Sequence, residues 1–184
     1  MDKKSKLIKT AIKLFVKQGF ENTPTSQISK DAGVASGTLF YYYKSKEDLV
    51  KEAYISIKLD MAKSLAQDFN KDEDIKIILK KTWSNLINWG FNHKIEHEFV
   101  QKFYNSAYIS CIKKNEISAT YEDMGLVMKK GIKEKVLKDL PFELLSNLIM
   151  GIYQTYLAYF FTLKKIEKKS LDKSFEVLWD AIKR

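Results

Sequence analysis

Two glycines, Gly19 and Gly33, cut the first fifty residues into one long amphipathic segment and two much shorter ones. That punctuation narrows the fold more than any other feature of the chain. Leu7, Ile8, Ala11, Ile12, Leu14 and Phe15 recur at helical spacing, which predicts a helix over residues 3–18. Gly19 suits the left-handed position just past its end, with Phe20 folded back onto Phe15. Pro24 is tolerated only at a helix start, so a short second helix spans residues 25–32 with Thr25 or Thr23 as its cap. Gly33 ends it. After the turn Gly33-Val34-Ala35, Ser36 caps a third helix through Tyr42, which presents Leu39, Phe40 and Tyr43 inward. Two short helices joined by a tight turn and braced by a longer one form the geometry that reads a DNA major groove. On it Ala35, Ser36, Gly37, Thr38, Tyr41 and Tyr42 face the groove, while Ile28, Ala32, Val34 and Leu39 hold the helices together.

The remainder continues in helices. Only seven Gly and two Pro occur in 184 residues, 45% of them hydrophobic and 30% charged, a composition that points to an all-α fold of about nine helices. Ser45-Lys46-Glu47-Asp48 resembles a capping box, with Asp in place of Glu, opening a long helix to about residue 69. Lys71-Asp72-Glu73-Asp74 reads as a polar break. Five further helices follow over about 75–91, 95–113, 118–137, 141–165, with Pro141 at its first position, and 171–183.

Charge and chemistry limit the function. The net charge is +9, and the first fifty residues hold nine lysines against five acids, about twice the charge density of the rest. Such a balance favours an acidic partner such as nucleic acid. Cys111 is the single cysteine, so no intrachain disulfide is available and a reducing cytoplasm is the expected compartment. The start, MDKKSKLIKTAIKLF, lacks the continuous apolar run of a secretory signal. Residues 148–163 fall short of the roughly 20 needed to span a bilayer, so no membrane partner is expected. With no glycine-rich phosphate loop, no paired-cysteine zinc pattern and two histidines, the chain reads as a non-enzyme without a cofactor. His93-Lys94-Ile95-Glu96-His97 does match the H-x-x-E-H pattern of inverted zinc proteases. A metal-sensing regulator would add Cys111 to His93 and His97. Solvated surface histidines and no metal site are the expectation.

The run TPTSQISKDAGVASGTLFYYYKSKEDL, residues 23–49, resembles the TetR family of bacterial transcriptional repressors. The resemblance lies in the threonines opening the second helix, Ile28, the Ala-Gly-Val turn, Gly37-Thr38-Leu39, the aromatic run and Lys44-Ser45-Lys46. Beyond about residue 55 it is architectural only. It implies a helix-turn-helix DNA-binding domain over 1–46 and a helical effector-binding and dimerisation domain over 47–184. It further implies that Thr25 and Lys46 contact phosphates, and that Ser26, Ala35, Ser36, Gly37, Thr38, Tyr41 and Tyr42 complete the DNA-binding set. Physics agrees: hydroxyls donate to phosphate oxygens, lysine supplies charge, and Gly37 bares the backbone. Two residues depart from the family pattern. Phe40 stands where a tyrosine is common, and Tyr43 replaces a frequent phenylalanine, so a core hydroxyl needs a partner. The recognition helix also lacks Arg, Lys, Asn and Gln, the side chains suited to bidentate base pairing, and Arg184 is the only arginine. Specificity is therefore expected from Ser36 and Thr38 hydrogen bonds, thymine-methyl contacts and DNA shape, on an A/T-rich palindrome.

The eighth and ninth predicted helices carry more apolar surface than a small monomer hides, and pairing with a symmetry mate would make a four-helix interface. A homodimer is expected, as the resemblance also implies. Trp83, Trp89, Phe103, Tyr104, Tyr108, Met124, Met128, Tyr153, Tyr156 and Phe160 lie on the helices that, by the resemblance, surround an effector cavity. Each alone reads as core; as a group they favour a flat, apolar or aromatic small molecule. Its binding would release the operator, making the chain a repressor relieved by its effector. The alternative on the same scaffold is a DNA-binding dimer controlled by a protein partner.

Overall fold

The computed structural model describes residues 2–68, 70–112 and 121–184. Its elements are helical: α1 (Lys3–Gln18), α2 (Thr25–Asp31), α3 (Ser36–Tyr42), α4 (Lys46–Leu65), α5 (Ile75–Asn92), α6 (Lys94–Tyr104), a 3-10 turn (Ala107–Cys111), α7 (Glu122–Lys133), α8 (Phe142–Phe160) and α9 (Lys168–Ile182). The expected all-α architecture stands. Packing divides the chain into two compact units, Met1–Asp60 with His93–Ile117, and Met61–Asn92 with Ser118–Arg184.

In the first unit α1 buries Leu7, Ile8, Ala11, Ile12 and Phe15 and packs on α2, α3 and α6. Full burial of such side chains stabilises by roughly 1.5–3 kcal/mol each. Asp2 caps α1 by accepting from the Ser5 backbone N–H at 2.7 Å, and that bond holds its carboxyl below the ordinary value. Gly19 has φ +83° and ψ 162°, an extended variant of the expected left-handed cap that glycine alone adopts without strain. Phe20 nevertheless reaches Phe15, with ring centroids 5.3 Å apart, and meets Phe99 of α6 edge-on at 5.4 Å. On α4, Ser45 and Asp48 make the anticipated reciprocal cap: the Asp48 N–H donates to Ser45 Oγ at 3.0 Å and the Ser45 N–H to the Asp48 carboxylate at 3.1 Å.

Several boundaries differ from expectation. Pro24, not Thr23 or Thr25, occupies the cap position of α2, because the buried Thr23 hydroxyl donates to the Gly19 carbonyl at 2.7 Å and serves the preceding turn. Ala35, not Ser36, caps α3. Helix α6 stops at Tyr104 instead of near residue 113, because Ser106 and Asn105 side chains take the Phe103 and Gln101 carbonyls, offering the backbone an alternative to helix. Residues 113 and 118–120, at the predicted ends of two helices, lie outside the described residues.

In the second unit α5 buries Trp83, whose Nε1–H donates to Ser174 Oγ of α9 at 2.8 Å, an internal partner for an indole that would otherwise be costly to bury. Lys80–Asp172 at 2.8 Å and Lys76–Glu176 at 3.5 Å flank that pair. Gly90 of α5 lets the Tyr153 hydroxyl and Leu157 of α8 come close enough to collide with any added Cβ. Helix α8 begins at Phe142, with Pro141 at the cap rather than at the first helical position. It ends at Phe160 rather than near 165, where the Thr162 hydroxyl caps the Tyr159 carbonyl at 2.7 Å. After α7, Leu137 is buried and pairs with Lys183 in a single antiparallel bridge.

Candidate nucleic-acid interface

The turn between α2 and α3 is fixed by one left-handed glycine. Gly33 has φ +64°; its N–H donates to Lys30 O at 3.0 Å and the Val34 N–H to Ser29 O at 2.9 Å, the paired bonds of a Schellman stop. Val34 then buries, as do Ile28 of α2 and Leu39 of α3. With those three residues inward, the opposite side of α3 is left to solvent. Ala35, Ser36, Gly37, Tyr41 and Tyr42 are exposed and Thr38 is half-buried; Tyr41 is 75% accessible. Seven helical residues span about 10 Å, which the roughly 12 Å major groove admits.

Phe40 is a correction. It was expected inward, yet it is 46% exposed. A helix turns about 100° per residue, so once Leu39 takes the core, its successor must leave it. Tyr43 ends α3 in extended conformation and is the aromatic that goes inside, 3% exposed. Its hydroxyl is buried and has no hydrogen-bond partner among the described residues; burial and the nearby Glu52 and Asp2 carboxylates push its ionisation far up. The substitution of tyrosine for a frequent phenylalanine thus leaves an uncompensated polar group in the core.

Around this surface, Thr25 is half-buried at the start of α2 and Ser26 is exposed beside it. Lys46 is half-buried, its ammonium donating to the Glu21 carbonyl at 3.1 Å, so the cation is held where the loop before α2 meets the start of α4. Lys4–Glu52 at 2.7 Å ties α1 to α4.

The ten residues grouped for an effector fall in both units. Phe103, Tyr104 and Tyr108 lie in the first unit; Trp83, Trp89, Met124, Met128, Tyr153, Tyr156 and Phe160 lie in the second. Within the first, Phe103 stacks on Tyr54 at 4.1 Å and Tyr108 meets Phe20 at 5.3 Å. Within the second, Tyr156 contacts both Trp83 and Phe160. Two surface cavities, about 460 Å³ beside α1 and about 320 Å³ beside α7, are lined by none of the ten. His93 caps α6 and stands 3.9 Å from Asp60, while burial lowers the pKa of His97. Cys111 donates its S–H to Glu47 at 2.9 Å. Among the described residues no group of three His, Cys, Asp or Glu side chains could hold a metal ion, and no helix is long and apolar enough to cross a membrane.

Comparison with known proteins adds to this geometry. The family model of bacterial regulatory proteins of the tetR family matches residues 7–53. The HTH-type transcriptional regulator YerO of Bacillus subtilis (strain 168) is 35% identical over 83 residues, 44% of this chain but only 28% of that protein. The crystal structure of a tetR family transcription regulator from Shewanella sp. PV-4 superposes with a TM-score of 0.91 and 25% identity over all of both chains. The regulator FadR of Bacillus subtilis, in complex with stearoyl-CoA, shares the fold with a TM-score of 0.78 at 19% identity, over 97% of this chain and 98% of its own.

Proposed function

Because the chain belongs to the TetR family of bacterial regulatory proteins, we propose that it is a repressor that binds a palindromic operator as a homodimer and is released by a small, largely apolar or aromatic effector. In this reading residues 1–46 are the DNA-binding domain and 47–184 the effector-binding and dimerisation domain, and the protein works in the cytoplasm. The observation that carries it is the outward face of α3, where small residues and tyrosines stand exposed over a buried Leu39 and Ile28. Thr25, Ser26 and Lys46 hold the phosphate backbone. Ser36, Thr38 and Tyr41 read base edges and methyls, Ala35 and Gly37 let the backbone approach, and Tyr42 closes the surface.

Helices α8 and α9 form the dimer contact. Support comes from Leu144, Leu148 and Tyr159 of α8 and Val177 of α9, large side chains that remain exposed in a single chain. Two recognition helices would then sit about 34 Å apart, one turn of DNA. The fold shared with a stearoyl-CoA-bound regulator supports an apolar body for the effector.

Selection of operators from a random DNA pool tests the reading. An A/T-rich palindrome is expected, with Thr38→Ala relaxing its preferences. Recovery of invariant G·C pairs, or a Thr38→Ala protein that ranks every operator variant as before, would sink it. Sedimentation at micromolar concentration should show a dimer.

A further inference from the structure

The cavity of about 460 Å³ beside α1 lies wholly within the first unit, walled by α1, by α4 up to Asp60 and by the start of α6. Its volume falls in the range of small-molecule clefts. Helical spacing builds the walls. Ser5, Ile8, Lys9 and Ile12 share one face of α1, and Glu52, Ser56 and Asp60 succeed one another at four-residue steps on α4. Ile8, Ile12 and Ile57 are buried and give the cavity an apolar floor. Charged groups complete the lining. The Lys4 ammonium is spent on Glu52 at 2.7 Å, and His93 stands 3.9 Å from Asp60. That leaves the exposed Lys9 on α1 and the half-buried Glu96 on α6. The side chain of neither makes a hydrogen bond or an ion pair among the described residues. They border one cavity with opposite charges and do not pair with each other.

We propose that this cavity is a small-molecule site for a zwitterion: an organic ligand whose ammonium donates to Glu96, whose carboxylate accepts from Lys9, and whose aliphatic body covers the isoleucines. The lining works against either charge alone. A plain cation brings nothing for Lys9 and is repelled by it. A plain anion enters among the carboxylates of Glu52, Asp60 and Glu96. Only a ligand that carries both signs answers both side chains, so the mismatched charge supplies the discrimination. None of the lining residues belongs to the proposed DNA-binding set or to the ten grouped for an effector, so the site goes beyond the function proposed above and is tested independently of it. Its place in the fold still bears on that function. Helix α1 packs on α2 and α3 as well as on α6, so a ligand that bridges α1 and α6 acts on the helix that braces the recognition helix.

The test titrates the full chain at pH 7 and low salt with 6-aminohexanoate and 8-aminooctanoate, and with the amine and the acid of matching length, read by backbone amide chemical shifts. The better of the two zwitterions should bind about 3- to 5-fold more tightly than its amine or its acid, the reach of an exposed ion pair. Its shifts should centre on the lining residues of α1, α4 and α6. Lys9→Gln should remove the margin over the amine and keep the margin over the acid; Glu96→Gln should do the reverse. Both replacements conserve size at positions outside the core, and thermal melts check that the variants fold. A zwitterion that binds no better than its amine or its acid would overturn the site. So would the binding of neither zwitterion at about 10 mM, shifts centred on α7 or α8, or margins that survive both substitutions.

Discussion

Helices α3 and α8 both leave large side chains in solvent, but in opposite patterns. On α3 the exposed aromatics Phe40, Tyr41 and Tyr42 are consecutive, so at about 100° per residue they fan across some 200° of the helix. On α8 the exposed positions Leu144, Leu148, Gly151, Thr155 and Tyr159 recur every three or four residues and draw one stripe along its nineteen residues. A fan suits a concave surface that wraps a helix, as a DNA groove does. A stripe suits a second helix laid alongside. The two helices are thus shaped for different kinds of partner, although each is rich in large apolar and aromatic residues.

The largest expected effect breaks the first pattern at its root. Leu39→Ala empties the core position beneath the fan and should destabilise the protein by about 2–5 kcal/mol in urea denaturation, abolishing operator binding. Next, Leu148→Glu places a charge in the middle of the stripe. It should weaken self-association about 30-fold, the loss of a hot-spot contact of about 2 kcal/mol, seen by sedimentation with the monomer's helicity retained. If Leu148→Glu instead impaired DNA binding by an undissociated dimer, the assignment of the two surfaces would be reversed. Tyr43→Phe should act in the favourable direction, raising stability by about 1 kcal/mol because it removes a buried hydroxyl with no partner; an unchanged or lower melting temperature would show that the hydroxyl is satisfied.

The smallest effect is a pH slope. The Lys58 ammonium titrates near 8 in the folded chain against 10.5 for an ordinary lysine, so between those values the unfolded chain holds more protons. Stability contributed by this group therefore rises as pH climbs from about 8 to about 10.5, and its full cost is present below that window. Lys58→Met should flatten this rise in denaturation measured across the alkaline range. A slope identical to that of the parent chain would place Lys58 in water.

Much of the first unit was legible because its signals are local. The periodicity of residues 7–15, the reciprocal pair Ser45 and Asp48, and the left-handed Gly33 each depend on neighbours within a few positions, and each element formed where expected. Failures arose where one group had two uses. Thr23 could cap α2 or bond the turn behind it, and sequence does not rank the Gly19 carbonyl, four residues back, against the N–H groups ahead. Phe40 and Tyr43 compete for one inward position, which only the exit direction of α3 decides. Asn105, Ser106 and Thr162 end helices by capturing carbonyls, a choice that propensity alone leaves open. The residues grouped for an effector were chosen by type along four predicted helices, and type alone does not say which packing unit a side chain joins. Lys58 and Gln101 escaped notice for the opposite reason: on paper they are ordinary surface residues, and only the fold half-buries the one and buries the amide of the other.

Gly90 carries a consequence for how this chain can change over generations. Every other residue adds at least a Cβ, which would strike the Tyr153 hydroxyl and Leu157. A substitution at Gly90 therefore requires Tyr153 and Leu157 of α8 to give way. Drift at that crossing is concerted, and a mutational scan should find Gly90 intolerant in this background but permissive in one where Tyr153 and Leu157 have both been replaced by smaller side chains.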